Sequence, residues 1–145
     1  MKSSIVSNII KLMLPFIQVF GIYVVLFGHL SPGGGFAGGS ILGASMIIYR
    51  YLNGPEKTDA KYNKRFLLKI VSIALIVYGI IKGSVFIGAF FGGHALIGTG
   101  VPATLISGGF ILPLNILIGA VVAITFYFIA TLFEEGDTAH GDVRD

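Results

Sequence analysis

Four long apolar runs, at 12–30, 34–52, 66–91 and 113–133, most constrain what this chain can fold into, because their bodies hold almost no charge. A helix needs about 20 apolar residues to cross a bilayer, and each run approaches or exceeds that length. Hydrocarbon offers no water to satisfy a free backbone N–H or C=O, so a run placed there closes its own hydrogen bonds as an α-helix. The pattern predicts an all-α integral membrane protein with four transmembrane helices in a single domain spanning residues 1–145. Charged residues make up 12% of the chain, against roughly 25% in soluble domains, which leaves no room for a separate soluble module. The first run, Leu12 to Leu30, is too long for the core of a cleaved signal peptide and no small-residue cleavage site follows it, so it reads as a retained helix. Pro15 is expected in its first turns, where a missing N–H costs least.

Charge placement predicts the orientation. Arg50, Lys57, Lys61, Lys64, Arg65 and Lys69 gather around the loop between the second and third runs, diluted only by Glu56 and Asp59. Basic loops face the cytoplasm, so both termini are expected inside. The two connections then on the outer side, 31–36 and 88–112, contain no Lys, Arg, Asp or Glu. The second is a glycine-rich outer loop between helices three and four, with Gly92-Gly93-His94, Gly98-Thr99-Gly100 and Ser107-Gly108-Gly109. Such a segment dips into a membrane only where protein covers it. The net charge of +3 follows from this topology and does not point to nucleic acid. With no cysteine, the chain has no disulfide and no thiolate-held zinc or iron–sulfur site.

Between the first two runs lies Gly28-His29-Leu30-Ser31-Pro32-Gly33-Gly34-Gly35-Phe36-Ala37-Gly38-Gly39-Ser40. Ser31-Pro32 breaks the helix, the glycines permit a tight re-entry, and Gly35, Gly39 and Gly43 then recur at helical spacing as a smooth face for a neighbouring helix. This string, with Pro32, Gly33, Gly34, Gly35, Phe36, Gly38 and Gly39, closely resembles the signature of the MrpB (MnhB-domain) subunit of multisubunit Na+/H+ antiporters. Related subunits occur in membrane-bound hydrogenase-type complexes. Overall length, four apolar segments and a short charged tail extend the resemblance over nearly the whole chain.

The resemblance implies a non-catalytic, multi-pass subunit in a prokaryotic plasma membrane, packing with other membrane subunits and shaping an ion-translocation module. It implies Na+ and H+ as the ions moved by the complex and no cofactor in this chain. The sequence agrees in one respect: every Asp and Glu lies at 56–59 or 134–145, so no carboxylate sits within the apolar body of a run. The nearest alternative is the equivalent subunit of a redox-driven pump, a membrane-bound hydrogenase or sulfur reductase, with redox subunits as partners. A small stand-alone transporter and a membrane enzyme are the readings from other classes. The first lacks an embedded carboxylate, and the second lacks any nucleophile–base set or phosphate loop.

Two residues are candidates for the ion pathway. Lys82, in the third run, would be costly in lipid and is either a pathway group or a snorkelling or inter-subunit ion-pairing one. His29, ahead of the glycine turn, either titrates in the physiological range or caps a carbonyl freed by Pro32. Asn115, at the start of the fourth helix, reads as a polar cap or inter-helix hydrogen-bonding group. Antiporter-type relatives often carry an acidic residue near that point, whereas Pro113-Leu114-Asn115 is neutral; this weakens ion coordination there and strengthens the redox-linked branch. No two histidines share metal-ligand spacing, so no metal site is assigned.

Overall fold

The computed structural model describes residues 4–28, 34–91 and 111–141. These form five helices: α1 (Ser4–Phe27), α2 (Gly34–Asn53), α3 (Pro55–Lys61), α4 (Lys64–Phe91) and α5 (Ile111–Gly141). Among the described residues there is no strand. Three helices, α1, α4 and α5, are long and apolar enough to cross a membrane. His29, Pro32, Gly33 and residues 92–110 of the predicted outer loop at 88–112 lie outside the described residues, while 88–91 and 111–112 are helical.

The bundle is built on α2, which packs most heavily on α5 and next on α1, while α4 packs on α5. Neighbouring pairs fix the directions. Gly38 meets Val25 and Gly21 meets Leu42, so α1 and α2 run antiparallel. Gly39 meets Gly119 and Gly43 meets Ala123, so α2 and α5 run parallel. Lys64 pairs with Glu135, so α4 runs against α5.

Large apolar side chains point outward: Phe16, Phe66, Ile80 and Phe133 are each more than half exposed. The buried positions of α2 are instead Gly35, Gly38, Gly39, Gly43, Ser45 and Arg50. Bulk outside and small residues inside is the arrangement expected when the surroundings are as apolar as leucine and close backbone packing supplies the attraction. It also explains why α2 is less apolar than the other long helices: protein covers it on two sides. A compact apolar cluster does occur at one end, where Leu67, Ile124 and Tyr127 are buried against Met46, Tyr62, Ile70, Val71 and Phe128.

Several boundaries differ from the sequence expectation. α1 begins at Ser4, which leaves Pro15 in the helix interior, not in its first turn. The proline deprives the Lys11 carbonyl of its helical donor, a loss that membrane helices tolerate better than soluble ones. The loop after Asn53-Gly54-Pro55 contains a further short helix. Gly54 takes φ 84°, a value that favours glycine, and Pro55 occupies the first turn of α3, where its fixed φ suits the helix. Glu56 in the first turn and Lys61 in the last complement the α3 dipole. Finally, α5 continues to Gly141, so Glu134, Glu135 and Asp137 are helical instead of forming a loose tail.

Candidate functional site

The second half of the glycine motif forms the central contact of the molecule. Gly35, Gly39 and Gly43 face Asn115, Gly119 and Ala123 of α5, two ridges advancing in steps of four residues. A Cβ placed on Gly39 would lie 2.6 Å from the Gly119 carbonyl oxygen, and one on Gly43 would lie 2.9 Å from that of Ala123. A Cβ on Gly35 would run into the Asn115 carbonyl oxygen. Real side chains do not approach backbone this closely, so only glycine lets the two helices touch here.

Gly38, on the opposite side of α2, serves α1 in the same way: a Cβ there would lie 2.7 Å from the Val25 nitrogen. Val25 also contacts Gly119, so α1, α2 and α5 converge at one valine. The ridge that the sequence offers to a neighbouring helix is thus occupied by this chain's own α5.

At one end of this seam, Asn115 sits beside the start of α2: its Oδ1 would be 3.9 Å from a Cβ on Gly34, which has φ 70°. Its side is polar and half-buried, and it faces the first turn of α2, where backbone N–H groups lack helical partners. Phe36 is 63% exposed and makes an edge contact with Phe126, with ring centroids 6.4 Å apart.

At the other end lies a charged cluster that the sequence pattern did not single out. Arg50 is only 5% exposed. Its Nε donates to Glu134 Oε2 at 2.6 Å, and its Nη1 donates to Asp59 Oδ1 at 2.6 Å. The same Nη1 reaches the Tyr127 hydroxyl at 3.4 Å, and that hydroxyl donates onward to Asp59 Oδ1 at 3.5 Å. One guanidinium therefore ties together α2, α3 and α5. Arginine suits this position because its planar fork can serve two carboxylates at once, which a lysine ammonium does less well.

Next to it, Lys64 pairs with Glu135 and so fastens the start of α4 to the same stretch of α5. Lys61 lies 4.2 Å over the Tyr49 ring, a cation–π contact that holds α3 against α2. The arrangement is structural: two carboxylates already engaged by arginine do not leave a cation site. Among the described residues no group of three or more His, Asp or Glu is placed to hold a metal ion.

The cluster had a faint sequence signal. Arg50 precedes Gly54 by one helical turn and so belongs to α2, not to the loop, and Tyr127 and Glu134 are seven apart on one face of α5. Counting Arg50 among the loop bases concealed this. Lys82, by contrast, is exposed on α4. The structure does not bring Lys82 and Asn115 together.

A family model described as a domain related to the MnhB subunit of Na+/H+ antiporter matches residues 5–128. The match takes in the glycine seam and reaches Tyr127, ending short of Glu134 and Glu135. An uncharacterized protein of Methanocaldococcus jannaschii, MJ1307, is 31% identical over 108 residues, covering 68% of this chain and 40% of that protein. The chain thus spans about two fifths of the length of this relative.

Proposed function

Because the chain belongs to the family of domains related to the MnhB subunit of Na+/H+ antiporters, we propose that it is a non-catalytic membrane subunit of a multisubunit cation/proton antiporter complex. In this reading it packs against other membrane subunits and shapes an ion-translocation module in the prokaryotic plasma membrane. Na+ and H+ are the ions moved, and their carboxylate ligands come from other chains. α2 is the fourth span, and alternating helix directions then put both termini, with the Arg50 cluster, on the cytoplasmic side. The basic residues around α3 support that orientation.

The observation that carries the proposal is the placement of the carboxylates. All seven lie at 56–59 or 134–145, and Asp59, Glu134 and Glu135 are engaged by Arg50 or Lys64 at one end of the bundle. Protons and Na+ cross membranes along embedded carboxylates, and the apolar bodies of these helices have none. A subunit so built supports a pathway instead of forming one. Lys82 and His29 are its proposed points of direct contact with that pathway.

A second reading, the equivalent subunit of a redox-driven ion pump, is favoured by the neutral Asn115 at the head of α5. One experiment tests both: tagged protein is recovered from its native membrane in mild detergent and co-purifying chains are identified by mass spectrometry. Antiporter-type subunits alone support the first reading, and additional iron–sulfur or nickel–iron subunits support the second. Recovery of the chain by itself, with cation/proton exchange after reconstitution, overturns both.

A further inference from the structure

The exposed side of α4 carries small residues and a lysine deep within its apolar span. Ser72, Gly79 and Gly83 recur at helical spacing along a side turned from the α5-facing residues Leu67, Ala74 and Tyr78, and Lys82 and Phe86 lie at its edge, Lys82 one turn beyond Tyr78. Lys82 lies about 27 Å along the helix from Lys64 and about 9 Å short of Gly88, at 1.5 Å per residue. It is exposed within a span apolar enough for lipid. Gly79 and Gly83 flank it, and a Cβ on either would meet nothing within 4 Å. Unlike the glycines of α2, these have no neighbour among the described residues.

No carboxylate among the described residues pairs with Lys82. Every carboxylate of the sequence belongs to 56–59 or 134–145, and Glu135 marks the end of the bundle at which α4 begins. Escape to the nearer membrane surface is also disfavoured. Helical side chains lean toward the helix N-terminus, so the lysine stem leans back toward the apolar body of α4 and away from the Gly88 end. An ammonium exposed at that depth calls for an anionic partner at the same depth. Lipid headgroups sit at the surface, whereas a transmembrane helix can place a carboxylate there. Glycines beside the lysine let its backbone approach closely.

We propose that the Gly79–Lys82–Gly83 face of α4 is the docking surface for a transmembrane helix of a partner subunit, and that this helix carries an Asp or Glu paired with Lys82. The inference rests on the reading of the chain as a subunit of a membrane complex and adds which face is used and the chemistry of the helix that meets it.

The test uses the whole complex in its native membrane. Phe86→benzoylphenylalanine, at a position 70% exposed, places a photoreactive group beside the lysine. The expected product is a cross-link to a transmembrane helix that contains an Asp or Glu. Cross-linking to lipid alone, or to a helix without a carboxylate, overturns the proposal. In parallel, Lys82→Met should lower recovery of the cross-linked subunit at least about tenfold, since removing one member of a buried pair strands the other, while Lys82→Arg keeps it near the wild-type amount. Unchanged recovery with Lys82→Met also overturns it. Should that variant fail to accumulate, the cross-link, made with Lys82 intact, still decides. Antiporter subunits recovered in full with Lys82→Met would sink this interface and leave the functional reading standing. A carboxylate-bearing helix from a different kind of complex would do the reverse.

Discussion

Two helices of this chain carry glycines four residues apart, and they use them differently. In α2, Gly35, Gly39 and Gly43 bear directly on the α5 backbone. In α4, Gly79 and Gly83 meet no other helix among the described residues, with Lys82 between them in sequence. Spacing is the same in both cases; what differs is whether the chain itself supplies the opposing ridge. For α2 the ridge is Asn115, Gly119 and Ala123, matched in step and direction, and Val25 closes the other side at Gly38. For α4, α5 is engaged by the neighbouring residues Ala74, Leu75 and Tyr78, and no described residue meets Gly79 or Gly83. A small-residue repeat therefore identifies a surface suited to close approach without saying whether the approach happens within the chain.

The sharpest way to break this comparison is to make the same substitution on both helices. Gly39→Leu would drive a side chain into the Gly119 carbonyl, 2.6 Å from the Cβ alone, and should prevent the bundle from forming. We expect a loss of stability at or beyond the top of the 1–3 kcal/mol range usual for overpacking, read as failure to accumulate or to survive detergent extraction. Gly83→Leu meets nothing among the described residues. Its own thermal unfolding in detergent should shift by less than about 0.5 kcal/mol, while recovery of partner subunits falls. Equal damage from both substitutions would remove the distinction between the two faces.

A smaller effect probes how the α2–α5 contact is held at its charged end. Arg50→Ala leaves the hydroxyl of the fully buried Tyr127 and two partly exposed carboxylates without their shared donor. Removing one member of a fully buried ion pair costs about 3–5 kcal/mol, and the exposure of Asp59 and Glu134 lowers the expected cost to about 2 kcal/mol. A melting curve in detergent measures it. Arg50→Lys should recover only part, because an ammonium lacks the fork that serves Asp59 and Glu134 together. The smallest change expected is from Tyr127→Phe. It removes hydrogen bonds of 3.4 and 3.5 Å, and about 0.5–1 kcal/mol is expected from the same melting curves. A loss as large as that of Arg50→Ala would mean that the hydroxyl, and not the guanidinium, organises the cluster.

Much of this architecture is legible residue by residue. Apolar runs mark the long helices, Gly54-Pro55 marks the end of α2, and the glycine period marks its packing face. Each signal is local, as is the energy behind it: backbone satisfaction in lipid, a positive φ, a missing N–H. The candidate site was legible only in part. Arg50 looks like one more base in a basic loop until α5 brings Glu134 to it across 84 residues of sequence. The acidic stretch after Phe133 looks like a tail until Arg50 and Lys64 give Glu134 and Glu135 a reason to stay helical.

By itself the sequence determined that this is a helical membrane chain of the MnhB-related family, with its carboxylates kept out of its apolar segments. Length, hydropathy and a contiguous motif suffice for that, because they depend on each segment's own exchange between water and lipid. Only the tertiary structure decided which glycine face the chain's own α5 fills, and which base is buried with partners. Those outcomes depend on which helices lie side by side and in which direction. That is settled by close contact between distant segments, for which no single stretch of sequence carries the information.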